Sequence, residues 1–261
     1  MPPGGRKVRE PSVFLGRILL TIAILFGWEI SGRMVDPTWI SAPSLIVLRL
    51  VRWAAEDLAA HTATTITEMA MGLAIGLPAG VLAGIFLGRS PLLAALLRPI
   101  IVGFYSVPLV TLAPLLILWF GLDMQPKVVL VAVVTFFLIF FNTFSGVQAI
   151  DKDLISSFAL MGASPREAFH KLILPAAAAW ILSGLKIALP YALIAATVGE
   201  MIAARRGIGF LITRSASQID MTGLYAALFV LMLIGVTVGA GANRLESRIL
   251  RWRPSGRSTD R

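Results

Sequence analysis

Apolar and polar positions alternate along this chain in long blocks rather than at short period. A helix needs about 20 mostly apolar residues to cross a hydrocarbon core of ~30 Å. Six stretches meet or approach that length. The first, residues 14–31, is the weakest, because Arg17 and Glu29 punctuate it near its ends. The second, 69–88, has 20 uncharged residues, and the third lies between Arg98 and Asp123. The fourth covers 128–147. The fifth, 177–203, holds Lys186 and, near its end, Glu200. The sixth, 221–243, runs 23 residues without a charge.

Each block carries local detail. The second span has Gly72, Gly76, Gly80 and Gly84 at every fourth position, which predicts one smooth helix face for close packing. The third contains Pro99, Pro108 and Pro114, so a straight unbroken helix is not expected there. Broken backbone at membrane depth is tolerated where it is buried in protein or lines a water-filled cavity, which places Pro108 and Pro114 near a pathway. In the polar stretch 32–63, Leu45, Leu48, Val51, Arg52 and Ala55 recur at helical spacing and predict an amphipathic interfacial helix.

Composition agrees with this pattern. The 261 residues are 57% hydrophobic and 14% charged, where about 25% charged is usual for a soluble domain. Mean hydropathy is +0.84. The fold class expected is all-α, a polytopic transmembrane helix bundle of about six spans. The net charge of +9 reflects Lys/Arg at membrane edges rather than nucleic-acid binding. With six spans, both termini, the 2–3 loop and residues 151–175 share a side carrying 15 Lys/Arg, against seven on the other. The positive-inside rule puts that side, and both termini, in the cytoplasm. The basic N-terminus precedes what reads as an uncleaved first span. The division expected is a cytoplasmic tail at 1–13, a transmembrane domain at 14–243 and a basic cytoplasmic tail at 244–261.

Enzyme chemistry finds little support. No cysteine is present, so thiolate nucleophiles, disulfides and thiolate metal sites are excluded. His61 and His170 fall in different loops on opposite sides of the membrane. No metalloprotease, nucleophile-elbow, Walker A or dinucleotide motif occurs. No catalytic residue, metal site or cofactor is expected.

Residues 151–175, DKDLISSFALMGASPREAFHKLILP, form a polar island between two apolar spans and must face water. Its spacing predicts a helix, a turn at Gly162 and Ala163, and a second short helix at 165–172. Ser164 serves as its N-cap, Pro165 as the first helical residue and Glu167 as capping-box partner. Leu174 and Pro175 then lead into the fifth span. Such a helix can dock in a groove on another protein, with Arg166, Phe169 and Lys171 offering charge and an aromatic anchor. An ordinary wet loop is the alternative.

Gly162 followed by Leu172-Ile173-Leu174-Pro175 resembles the EAA loop of ABC transporter permeases. Trp28-Glu29, Ala42-Pro43-Ser44, Val107-Pro108 with the 114–121 stretch, 140–147, Gly199-Glu200-Met201 and 207–212 resemble the nitrate/sulfonate/taurine-type permeases, over residues 28–253. Two positions depart from that pattern. Ser156 stands where the loop usually opens with an acidic residue, and Glu68 where many relatives carry a basic one. The resemblance implies a type I ABC importer-like permease of the bacterial inner membrane, with both termini cytoplasmic. It implies an ABC ATP-binding subunit dimer docked on the EAA loop and an extracytoplasmic solute-binding protein. A second permease subunit completes the pathway, commonly as a homodimer. ATP hydrolysis then belongs to a separate subunit. The residues it assigns to coupling are Gly162, Ala163, Ser164, Arg166, Glu167, Phe169, Leu174 and Pro175. The implied cargo is a small sulfonate-, taurine- or nitrate-like anion, with pyrimidine vitamin precursors also served by relatives.

Intramembrane polar residues are functional by default, so Lys186, Asn142 and Glu200 are candidates for substrate contact, with Lys186 suited to an anion. Bland roles compete: Lys186 snorkelling to the interface, Asn142 bonding between helices, Glu200 pairing with Arg205 or Arg206. A secondary transporter or channel is the rival class, and the island distinguishes it, since such a carrier has no use for an ATPase-docking element.

Overall fold

A computed structural model of the chain describes residues 10–36, 39–90, 92–96, 99, 103 and 107–250. The described chain is helical and contains no strand. Its labelled helices are α1 (Glu10–Met34), α2 (Pro43–Ala55), α3 (Leu58–Gly88), α4 (Ala113–Phe120), α5 (Gln125–Gln148), α6 (Lys152–Leu160), α7 (Pro165–Ala168), α8 (Leu174–Ala203), α9 (Ile208–Ser217) and α10 (Met221–Ile249). Among the described residues five stretches are long and apolar enough to cross a membrane: Phe14–Met34, Leu58–Gly88, Gln125–Gln148, Pro165–Ala203 and Met221–Ile249. The third expected span is described only in its second part. There Leu109–Phe120 is apolar but too short to span. Pro108 opens a 3-10 turn at Leu109–Leu112, Pro114 sits in the first turn of α4, and Gly121 ends it at φ +83°. Most of the stretch upstream of Pro108, and parts of the tails at 1–13 and 244–261, lie outside the described residues.

The chain divides into two compact units. The first comprises Met1–Leu58 and Leu211–Phe229. In it α2 begins where α1 can cap it. Pro43 has no N–H to satisfy, and the next one, Ser44, donates to the Glu29 carboxylate at 3.0 Å while the Ser44 hydroxyl donates to it at 2.6 Å. Gly32 of α1 lies against the Ala42 backbone, where a Cβ would stand 2.7 Å from its Cα. The Trp28-Glu29 and Ala42-Pro43-Ser44 motifs, distant in sequence, therefore form one joint. Only Ile46 of α2 is buried, as an interfacial helix requires. Arg49 of α2 grips Asp220, the residue before α10, with its two nitrogens at 2.5 and 3.3 Å.

The second unit comprises Ala59–Phe210 and Val230–Arg261. Its core joins α3, α4, α5 and α8 through Met69, Ala113, Leu116, Leu130, Val131, Val134, Ala192, Ala195 and Ala196. In lipid no hydrophobic force draws helices together, so small residues that permit close contact decide the packing. Gly72, Gly76, Gly80 and Gly84 are all buried against α5. A Cβ on Gly80 would lie 2.8 Å from the Phe136 carbonyl, and one on Gly84 2.6 Å from the Thr143 Cβ. The glycine face is a packing surface. Between α5 and α8, Gly146 receives Trp180 and Gly184 receives Asn142.

Candidate functional site

The polar island folds as its spacing requires, with one correction. The Asp151 side chain caps α6 by accepting from Asp153 N–H at 2.8 Å. Gly162 follows α6 at φ +82°, a left-handed position that a Cβ strains. The capping box of α7 is complete. Ser164 Oγ accepts from Glu167 N–H at 3.3 Å, and Glu167 Oε2 accepts from Ser164 N–H at 3.0 Å. Lys171 donates to Glu167 at 2.9 Å, one turn further on. Ala163 N–H closes the turn onto the Phe158 carbonyl at 3.1 Å.

The correction concerns Pro175. It does not separate the short helix from the fifth span. Residues Pro165 to Ala203 form one continuous helical stretch, passing through a π-turn at Phe169–Ile173. Leu174 N–H donates to Phe169 O, five residues back, and Pro175 falls in the first turn of α8. A proline removes one N–H and crowds the carbonyl four residues before it, and the widened π-turn absorbs both.

At the surface, Gly162, Ser164, Arg166 and Leu174 are exposed, and Ala163 and Pro175 are half-buried. Phe169 is not a free anchor. It is half-buried, and the Arg89 guanidinium lies 5.2 Å above its ring centre. The strongly exposed apolar residues here are Leu160 (89%) and Met161 (74%). Hydropathy reading passes over them because two apolar residues ending a helix look like its buried face.

At the opposite ends of α5 and α8 lies a buried polar cluster. Lys127 Nζ donates to Glu68 Oε1 at 2.9 Å, with the two side chains 7% and 1% exposed. Glu200, fully enclosed, accepts from the Thr65 hydroxyl and from Gly209 N–H, both at 2.7 Å. Ile208 N–H donates to Thr65 Oγ1 at 3.0 Å, and Gly207 N–H to His61 Nδ1 at 3.0 Å. The turn at 207–209 is thus held on α3 and on the end of α8. Gly207, at φ +116°, is required because a Cβ there would enter the Glu200 carboxylate, and Gly209 because one there would collide with the Thr197 carbonyl. A cavity of about 730 Å³ adjoins this cluster, lined among others by Thr64, Glu68, Asp123, Lys127, Arg205 and Arg206.

Several expectations change here. Glu200 bonds to Thr65 and Gly209, not to Arg205 or Arg206. His61 is inside α3, stacked on Phe210 at 5.8 Å, rather than in a loop. Lys127, one of the seven Lys/Arg counted on the side opposite the termini, is buried in the first turn of α5. Lys186 is not a free cation, because it donates to Glu246 of α10 at 2.8 Å. Asn142 bonds the Leu138 carbonyl of its own helix at 2.8 Å rather than another helix. Thr65 was missed, and Glu68, noted only as a departure from the family pattern, was given no place in a site, although a signal existed. Positions 65, 68, 72, 76, 80 and 84 share one helix face, so both polar residues continue the glycine stripe toward the same neighbour.

Comparisons with known proteins agree with this architecture. The family model of the binding-protein-dependent transport system inner membrane component matches residues 76–251. The formylaminopyrimidine transport permease protein ThiX of Halalkalibacterium halodurans is 32% identical over 94% of this chain and 96% of its own. The putative aliphatic sulfonates transport permease protein SsuC of Bacillus subtilis is 29% identical over 91% and 87%. The taurine transport system permease protein TauC of Escherichia coli is 26% identical over 94% and 90%. A chain of the inward-facing MetNI methionine ABC transporter shares the fold, with a TM-score of 0.57 at 22% identity, covering 72% of this chain and 91% of that one. The chain belongs to the binding-protein-dependent transport system inner membrane components, the membrane-spanning permease subunits of type I ABC importers.

Proposed function

We propose that residues 151–175 are the surface through which an ATP-binding subunit drives this permease, and that the helices of the second unit wall a pathway for a small polar solute. The observation that carries the reading is the built geometry of the island. A left-handed Gly162 turn and a complete capping box fix a short helix, with Leu160 and Met161 exposed beside it. Exposed apolar side chains on a wet segment mark a protein contact. In this reading Gly162, Ala163, Ser164, Arg166, Glu167, Leu174 and Pro175 shape the docking element, and Phe169 supports it from behind. The island and both termini face the cytoplasm, and the polar cluster faces the side from which a solute-binding protein delivers cargo. A second copy of the chain completes the pathway.

Pro108, Pro114 and Glu200 act as wall and packing residues near the outer mouth. The anion reading loses its best cation, since Lys186 is matched by Glu246. A formylaminopyrimidine-like nitrogenous solute is the second reading, favoured by the relative 32% identical over 94% of the chain. Selection among such solutes rests with the binding protein.

The test is co-purification with the cognate ATP-binding subunit, followed by uptake of the solute found in the purified binding protein. Leu160→Asp and Gly162→Pro should each abolish retention of the ATPase while the permease remains folded. Full retention and uptake in both variants overturns the assignment of the island.

A further inference from the structure

Arg89 is absorbed by no role so far. It follows Gly88, the last residue of α3, and its guanidinium lies 5.2 Å from the centre of the Phe169 ring. A cation within about 6 Å of an aromatic face is attracted by the ring quadrupole. The contact is placed with consequence. Phe169 opens the π-turn between α7 and α8, and Gly162 marks the left-handed turn on the other side of α7. The short helix therefore hangs between two backbone joints. A single π-turn inside an α-helix is rare and recurs at functional sites. Beside it lies a cavity of about 950 Å³, lined among others by Arg89, Ala94, Phe144, Gln148, Ile155 and Ile173, which leaves room for displacement. On its other side Arg89 follows directly on a closely packed helix. The preceding Gly88 lies so close to α5 that an added Cβ would meet the Val147 Cβ at 2.8 Å, the last rung of the stripe that ends near Glu68.

We propose that Arg89 is a positioning residue that transmits movement of α7 into α3 through the face of Phe169. Pushing α7 moves the ring, the ring carries the guanidinium, and α3 moves with it, together with the α5 helix that its glycine face holds, toward the Thr65–Glu68 end. This rests on the proposed ATPase docking at residues 151–175 but adds a route that docking alone does not require. A cation–π contact at an exposed site shifts an equilibrium by a factor of about two to five, enough to bias a two-state bundle without locking it.

The absence of cysteine from the sequence permits a substrate-free test. Thr64→Cys, at the far end of α3 beside the polar cavity, is labelled with a charged methanethiosulfonate reagent in the assembled complex with its ATP-binding subunits. Labelling is compared without nucleotide and after trapping with ATP and orthovanadate. With Arg89 intact, trapping should change the labelling rate several-fold. Arg89→Met should reduce that change to less than half while the ATPase stays bound, and Arg89→Lys should restore most of it. Phe169→Tyr, which keeps the ring face, should behave as the parent, and Phe169→Leu as Arg89→Met, with no further loss in the double variant. An undiminished response in Arg89→Met and Phe169→Leu, or additive losses, overturns the route. Failure of the ATPase to bind the Thr64→Cys parent instead overturns the docking assignment.

Discussion

Lys127 Nζ meets Glu68 Oε1 at 2.9 Å with both side chains almost wholly enclosed, one from the first turn of α5 and one from the first third of α3. The pair locks two membrane helices at one height. Two charges removed from water together are tolerable, but one left alone is not. Glu68→Ala or Lys127→Met should therefore each destabilise the protein by about 3–5 kcal/mol. The double change Glu68→Leu with Lys127→Met should recover most of that loss. Thermal unfolding of purified protein reads both outcomes, and equal losses in the single and double variants would show that the pair is not the linked element.

The glycine stripe makes a graded prediction. A Cβ at Gly76 would collide with Thr135 Oγ1 and stand 2.5 Å from the Ala132 carbonyl, whereas Gly16 and Gly27 of α1 have nothing within 4 Å. Gly76→Ala should destabilise by about 1–3 kcal/mol through forced separation of α3 and α5. Gly27→Ala should be neutral or slightly stabilising, because alanine favours the helix by roughly 1 kcal/mol. Comparing the two by thermal unfolding separates packing glycines from incidental ones.

Ile219 ends α9 in the left-handed region at φ +56°, where glycine or asparagine is the usual occupant. Asp220 N–H reaches back to the Ser215 carbonyl at 2.8 Å and fixes that geometry. The side chain is 64% exposed, so little packing is lost on replacement. Ile219→Asn should raise stability by about 1 kcal/mol, the left-handed penalty of a branched residue. A lowered unfolding temperature would mean that the isoleucine makes a contact outside this chain.

Lys186 and Glu246 are 38% and 31% exposed, so their pair contributes at most about 1 kcal/mol to stability. If the pair's role is structural, the charge swap Lys186→Glu with Glu246→Lys should restore ATP-driven uptake lost in Lys186→Glu alone. Uptake that stays lost in the swap assigns Lys186 a contact with the solute itself.

The helical class, the membrane setting and most span positions were written in the chain as unbroken apolar length. Gly162, Ser164, Pro165 and Glu167 specified the island's turn and helix through rules that act within a few residues. What lay beyond short range was less legible. Pro175 looked like a boundary, but a π-turn two residues earlier made it part of a continuous helix. Phe169 looked like a free anchor for a partner, but it is half-buried, with the Arg89 guanidinium, 80 residues away, over its ring. Glu200 was expected to meet Arg205 or Arg206 and bonds Thr65 and Gly209 instead, and the close approach that Gly72 and Gly76 permit seats Glu68 against Lys127. The sequence by itself determined which segments must be helical and which must face water, because hydrogen bonding and hydrophobicity in lipid leave few choices. Tertiary structure decided which polar groups meet, because a charge inside a bundle is stable only beside the partner that packing delivers to it.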